Sequence, residues 1–305
     1  MPQIQEMRDG ADGTGMDGET AGTIITVTTT GIITGATAAK VGRTGATGEK
    51  AEMTGAEKGM EETLIKEGER IDDLQRNGLR IIQKPDRFCF GMDAVLLSAF
   101  VTAKPGDRIM DLCTGNGVIP LLLSARTEHT KITGLEIQEE SADLFLRSVE
   151  LNGLKDRIRV VCGDVKDAAG DFGASSFDII TVNPPYMMAD HGLLNPDHSM
   201  NIARHEILCT WQDIVEQAAK LLKPKGRMFI VHRPFRLPEL LSTLCAAKLE
   251  PKRMRMVHPF MNKEPNMVLI EAVRDGRPRM QVEPPLIIYK EVGVYTEEVR
   301  ELYYG

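Results

Sequence analysis

Cysteine pairs, long apolar runs and surplus positive charge are all missing from this chain of 305 residues. Five cysteines (Cys89, Cys113, Cys162, Cys209 and Cys245) are an odd number with no CxxC pair, which points to neither a disulfide framework nor a thiolate zinc site. They read as small buried apolar residues. The longest uncharged stretch, residues 21–39, holds seven threonines and follows Glu6, Asp9, Asp12, Asp17 and Glu19. That is the wrong flank for a signal peptide and a poor membrane core, so a cytoplasmic protein with no membrane association is expected. A net charge of −7 argues against indiscriminate nucleic-acid binding. It leaves room for a local site: between Lys223 and Arg255 nine basic residues face two acidic ones. A solvated face is the plainer reading of that run.

What is present divides at Met60. Residues 1–59 are dominated by Gly, Thr, Ala and Glu, contain no aromatic residue and hold no lasting period, so a low-complexity extension with little stable structure is expected. An upstream segment wrongly joined to a protein that begins at Met60 is the favoured explanation; mass spectrometry of the native protein decides it. Residues 60–305 form the folded domain, with Ile, Leu and Phe recurring among charges.

From Arg108 the pattern is strand, turn, helix, repeated. Strands are expected at 108–112, 131–135, 157–162, 177–182 and 227–231, and helices at 118–126, 139–152 and 210–222. Alternation of this kind gives an α/β doubly wound, mainly parallel sheet covered on both faces, with ligands at the C-terminal ends of the strands. Residues 283–290 read as a last strand or as a segment packing on another subunit; the oligomeric state is left open.

Two signals fall at those strand ends. The first is Asp111-Leu112-Cys113-Thr114-Gly115-Asn116-Gly117, where Gly115 and Gly117 permit a tight turn and close backbone approach. Doubly wound proteins also use glycine there for packing alone. Glu136, 25 positions after Asp111, can accept from both hydroxyls of a ribose, or can serve as an acidic group at a helix N-terminus. Asp164 is placed to accept from an adenine amino group, or to act as an ordinary cap.

The second signal is Asn183-Pro184-Pro185-Tyr186 after the strand 177–182. Two prolines stiffen the turn and supply no N–H, leaving carbonyl oxygens free of the ladder. The Asn183 side-chain oxygen and the Pro184 carbonyl can each take an N–H from one planar amine, and Tyr186 offers a ring for stacking a base. A stiffened surface loop with Tyr186 in the core is the alternative.

The DLCTGNG loop, Glu136 and the NPPY turn together resemble a class I S-adenosylmethionine-dependent methyltransferase acting on a planar nitrogen. The resemblance implies a Rossmann-like seven-stranded sheet, S-adenosyl-L-methionine as cofactor, and no metal. Cys113 departs from it, standing where this loop usually carries its first glycine. Two further segments, Phe90-Gly91-Met92-Asp93 and Ala203-Arg204-His205-Glu206, are similar to the bacterial tRNA adenine-N6-methyltransferase family that modifies the adenosine beside the anticodon of a valine tRNA. The likeness runs from about Arg70 to Val273. It implies cofactor contacts from Asp93, Asp111, Cys113, Gly115, Gly117, Glu136 and Asp164, a catalytic turn of Asn183, Pro184 and Tyr186, and a substrate mouth near Arg204 and His205. tRNA is the implied partner. A protein glutamine amide, ribosomal-RNA guanine or DNA adenine are the other acceptors such a turn can serve, and a silent nucleotide- or RNA-binding module is the non-enzymatic alternative.

Overall fold

The computed structural model describes residues 63–85, 90–184 and 209–304. The extension at 1–59 lies outside them, as do Cys89, Tyr186, Arg204 and His205. An antiparallel hairpin, β1 (Arg70–Asp73) and β2 (Arg80–Gln83), precedes helix α1 (Met92–Phe100). The alternating series follows: β3 (Arg108–Leu112), α2 (Val118–Arg126), β4 (Lys131–Glu136), α3 (Glu139–Leu151), β5 (Ile158–Cys162), α4 (Ala168–Phe172), β6 (Phe177–Val182), α5 (Trp211–Leu221) and β7 (Leu222–His232). The chain ends with α6 (Leu237–Ala246), β8 (Leu249–His258), β9 (Met267–Arg274), four short strands β10 (Gln281–Val282), β11 (Leu286–Ile287), β12 (Tyr289–Glu291) and β13 (Val294–Tyr295), and α7 (Glu297–Tyr304).

Local chemistry explains these boundaries. The interior strands are near-continuous apolar runs, as burial on both faces demands. Helix α5 begins where the Thr210 hydroxyl and the Asp213 carboxylate bond each other's backbone amides in a capping box, worth roughly 1 kcal/mol. Helix α3 starts with Glu139 and Glu140 in its first turn, favourable toward the macrodipole, and is left through Gly153 at φ +64°.

The main sheet runs β5-β4-β3-β6-β7-β9-β8, parallel from β5 to β7, with β9 antiparallel to both its neighbours. Seven strands therefore form the expected sheet; β10 and β11 add two residues each along β8, making nine. The segment 283–290 supplies β11 and the start of β12, so part of it does add to the sheet. β8 and β9 have no counterpart in the sequence reading, which after residue 231 held only 283–290, because the returning antiparallel pair lacks the strand–helix rhythm. Strand order reverses at β3, with β4 on one side and β6 on the other, which is the switch point at which doubly wound sheets bind ligands.

Side-chain alternation divides the core. Ile109 packs with Leu97, Leu121, Phe145 and Phe229 on one face, while Met110 and Leu112 join Val182, Ile214 and Leu240 on the other. Asp111 therefore faces the same side as Ile109. One expectation needs correction. Cys162, the last residue of β5, and Cys245, in the last turn of α6, are exposed, so only Cys113 and Cys209 among the described cysteines are half-buried. The basic run is largely matched internally: Lys223 pairs with Asp178, Arg227 with Asp107, Arg236 with Glu239, Arg253 with Glu271 and Glu283, and Arg255 with Glu298. No helix among the described residues is long and apolar enough to cross a membrane.

Candidate functional site

Register brings the two motifs together. Leu112 of β3 pairs with Leu135 of β4 on one side and Val182 of β6 on the other. The residues that follow these three, Cys113, Glu136 and Asn183, thus lie at one edge of the sheet, Glu136 as the last residue of β4. Adjacent strands lie about 4.8 Å apart, so Glu136 and Asn183 flank the loop at roughly 10 Å.

The loop after β3 is held from several directions. Gly115 donates its N–H to Glu136 Oε2 at 2.9 Å, while Glu136 Oε1 accepts from the Gln138 backbone at 2.9 Å and its side chain at 3.2 Å. Glu136 thus serves the start of α3 and also ties the glycine turn to the end of β4. The helix-start reading describes an observed contact, and each carboxylate oxygen retains acceptor capacity for a further donor. Gly117 adopts φ +82°, and a Cβ there would sit 1.8 Å from the Phe145 ring. Its glycine is required by packing as well as by conformation.

Cys113 has φ +56°, the left-handed region that favours glycine and costs a branched or thiol-bearing side chain about 1 kcal/mol. The residue that departs from the family pattern is therefore a strained one, held in a backbone conformation that favours glycine. Its thiol contacts that of Cys209, and with burial this holds Cys113 well above the ordinary thiol range, so it stays protonated. It is no nucleophile.

Asp111 is fully buried, and burial pushes its carboxyl up to about 7 against the hydrogen bond that Thr181 donates to Oδ1 at 2.5 Å. Thr114 lies close enough to favour the charged form, yet its hydroxyl has no partner in bonding geometry. Asp111 Oδ2 and Thr114 Oγ1 are both buried without a partner. Orphaned polar atoms beside a glycine turn are what a bound polar ligand satisfies. This donor and acceptor set, with Glu136, fits the sugar and amino-acid parts of S-adenosylmethionine. Thr181 was missed from sequence; the signal was a lone hydroxyl among the apolar residues 179–182 that end the strand. Asp164 caps the short 3-10 turn 165–167, accepting from Lys166 N at 2.9 Å, and pairs with the Lys166 ammonium at 3.6 Å. The ordinary cap reading is the one observed for that oxygen.

Asn183 is oriented by a residue far away in the chain. Its Nδ2 donates to Asp93 Oδ2 at 3.0 Å, leaving Oδ1 buried and unpartnered. Asp93 is itself fixed, 7 % exposed, with Oδ1 accepting from Ala94 N at 3.0 Å. The structure brings Asp93 to the asparagine of the turn, a contact the expectation of a purely cofactor-facing aspartate did not contain. Asp111, Cys113, Gly115, Gly117, Glu136 and Asn183 with Pro184 gather at one edge; Tyr186, Arg204 and His205 are outside the described residues.

Beyond Pro184 lies a cleft of about 260 Å³, walled by Trp211, His232, Cys209 and the Arg236–Glu239 ion pair. The Trp211 and His232 rings meet edge to face at 6.2 Å, and the Trp211 indole N–H has no partner. Burial lowers His232 to about 4, so it is neutral at physiological pH. The cleft is uncharged in balance and aromatic, which suits a flat neutral group.

Comparison with known proteins gives the family and the fold. The methyltransferase small domain family matches residues 85–246. A Porphyromonas gingivalis protein named tRNA1(Val) (adenine(37)-N6)-methyltransferase is 30% identical over 216 residues, covering 68% of this chain and 84% of the relative. A Tolumonas auensis protein of the same name is 28% identical, covering 68% of this chain and 85% of its own length. Among solved structures, one described as a predicted O-methyltransferase from Agrobacterium tumefaciens superposes with a TM-score of 0.58 at 23% identity, covering 70% of this chain and 95% of that one. That likeness concerns the fold. On the family match and the relatives, the chain belongs to the methyltransferase small domain family, among the tRNA1(Val) (adenine(37)-N6)-methyltransferases.

Proposed function

We propose that this chain methylates N6 of an adenosine in tRNA, the adenosine at position 37 named for its relatives. One observation carries the reading: a buried asparagine oxygen, unpartnered and fixed by Asp93, at the strand edge beside the glycine loop. S-adenosylmethionine, when bound, supplies an electrophilic methyl group on sulfur. Asp111, Thr114, Gly115 and Glu136 are the residues that would hold it.

The chain's own task is to prepare the amine. An exocyclic amine is a weak nucleophile because its lone pair is delocalised into the ring. Accepting its two N–H groups at Asn183 Oδ1 and the Pro184 carbonyl favours a pyramidal nitrogen with its lone pair directed outward, and holds it in one orientation. Asp93 supports this by fixing which end of the carboxamide faces the amine. Methylation leaves N6 with a surplus proton, whose release to water needs no strong base. The neutral aromatic cleft beside Pro184 accommodates the rest of the ring. Leaving the stack costs a few kcal/mol, less in an anticodon loop whose bases are partly splayed.

The test is total tRNA from a strain lacking this gene, digested and analysed by nucleoside mass spectrometry. N6-methyladenosine is expected to disappear from one tRNA and to return on incubation with the purified enzyme. An unchanged profile contradicts the proposal.

A further inference from the structure

Two arginines without a carboxylate partner share one acceptor. Arg76, in the turn between β1 and β2, and Arg126, the last residue of α2, converge on a single acceptor. Both donate through Nη2 to the carbonyl oxygen of Leu302 in α7, at 3.2 and 2.5 Å. Among the described residues neither guanidinium has a carboxylate partner, and the Nε of each is buried without an acceptor. Burial first, and then the charge of Arg76, brings Arg126 down to about 10. Two cations repelling across one oxygen are a cost that an anion removes.

Existing partial charges do not meet that need. The C-termini of α2 and α7 each contribute about half a negative charge, leaving about one positive charge uncompensated. A third arginine adds to the excess: Arg157 donates to the carbonyls of Ser124 and Thr127 at the same end of α2, and its Nε also lacks an acceptor. A phosphodiester, negatively charged and able to accept from several guanidinium N–H groups, matches the deficit in sign.

The neighbouring residues indicate what carries the phosphate. Leu302 is followed by Tyr303 and Tyr304, and four of the chain's five tyrosines form one column here. Tyr289 stacks on Tyr295 at 5.2 Å, Tyr295 on Tyr303 at 5.6 Å, and Tyr304 tilts against Tyr303 at 5.9 Å. Tyr304, at the end of the column, is 58% exposed. Guanidiniums on the Leu302 carbonyl and, two residues further along α7, an exposed ring ending an aromatic stack supply the two elements of single-strand recognition, one for the backbone and one for a base.

We propose that Arg76 and Arg126 hold a backbone phosphate of the RNA substrate, with Tyr304 stacking an unpaired base next to it. The proposal rests on the tRNA reading above and adds a second grip on the RNA. Binding of an unmodified tRNA transcript to the full chain tests it, measured across a salt series for the wild type, Arg76→Gln, Arg126→Gln, Arg126→Lys and Tyr304→Ala. Each Gln variant is expected to weaken binding about tenfold at low salt and to reduce the slope of log affinity against log salt by about one. Arg126→Lys should keep the slope, and affinity for S-adenosylmethionine should not move in any variant. Tyr304→Ala should cost about fivefold or more. If a Gln variant fails to fold, Arg126→Lys and Tyr304→Ala carry the test: retained slope in the first with lost affinity in the second supports the site. Wild-type binding with unchanged affinity and slope in the folded variants overturns it, making the pair an anchor for α7. Stabilisation of the wild type alone by inorganic phosphate, without any RNA effect, also overturns it. If the wild type binds no tRNA, the substrate reading falls, and this inference with it.

Discussion

Asn183 and Asp93 lie 90 positions apart in the chain and meet at 3.0 Å, where the aspartate takes the amide N–H and leaves the amide oxygen bare. Without that contact the two ends of a carboxamide are nearly equivalent in shape, and the oxygen has no reason to face the amine. Helix α1 thus takes part in the site although it carries no residue of the NPP turn.

Asn183→Ala is expected to abolish turnover while leaving affinity for S-adenosylmethionine within about tenfold, because it removes an amine contact. Asp93→Asn, which can donate where the aspartate accepts, should lower kcat by about tenfold or more with little change in KM. Calorimetry with the cofactor and steady-state kinetics check both. Equal loss of cofactor binding in Asn183→Ala would assign that residue to the cofactor instead.

Glu136→Ala should give the opposite split. Hydrogen bonds to a charged group are worth about 1.5–3 kcal/mol, so cofactor affinity should fall by about tenfold to a hundredfold. Turnover at saturating cofactor should fall far less. The same calorimetric titration reads the difference.

Asp111 predicts a pH signature. Its folded pKa of about 7 lies above the ordinary 3.8, so between those values the folded state binds more protons than the unfolded one. Stability from this group is therefore full below about pH 4, declines as pH rises, and is level above about 7. Asp111→Asn keeps an acceptor for Thr181 and removes the titration. Relative to wild type, its unfolding free energy should improve progressively from pH 4 to 7, by a few kcal/mol on the scale of roughly 1.4 kcal/mol per pKa unit, and then stay constant. A difference independent of pH contradicts the buried-carboxyl account.

Cys113→Gly should stabilise the protein by about 1 kcal/mol by relieving the left-handed backbone, a rise of about 2–4 °C in Tm for a domain of this size. Cys113→Ala, which keeps a Cβ, should give no such gain. Thermal unfolding of both distinguishes backbone strain from loss of the thiol.

The parallel half of the sheet was legible in the sequence because each strand from 108 to 182 is a short apolar run closed by a turn, and burial on both faces demands that pattern. β7 is longer than expected, running Leu222–His232, since Lys223, Pro224 and Lys225 look like a loop. β8 escaped notice because Arg253, Arg255 and Lys252 alternate with Met254, Met256 and Val257, a half-exposed rhythm masked by charge. In the site, Asn183, Glu136 and the glycine turn could be read from motif position alone. The Asp93 contact, the Thr181 hydrogen bond and the Arg76–Arg126 convergence could not, because each joins residues far apart in the chain. The basic run from Lys223 to Arg255 showed the reverse: conspicuous in the sequence, it is mostly neutralised by acids that the fold brings to it.

The most direct measurement supplies the purified chain with tRNA and S-adenosylmethionine carrying a deuterated methyl group, and follows the label by mass spectrometry of the digested nucleosides. The label is expected on N6 of one adenosine, and to be absent when Asn183 is replaced by alanine. Label on guanosine, on protein glutamine or on no acceptor at all, or undiminished label with the alanine variant, contradicts the account.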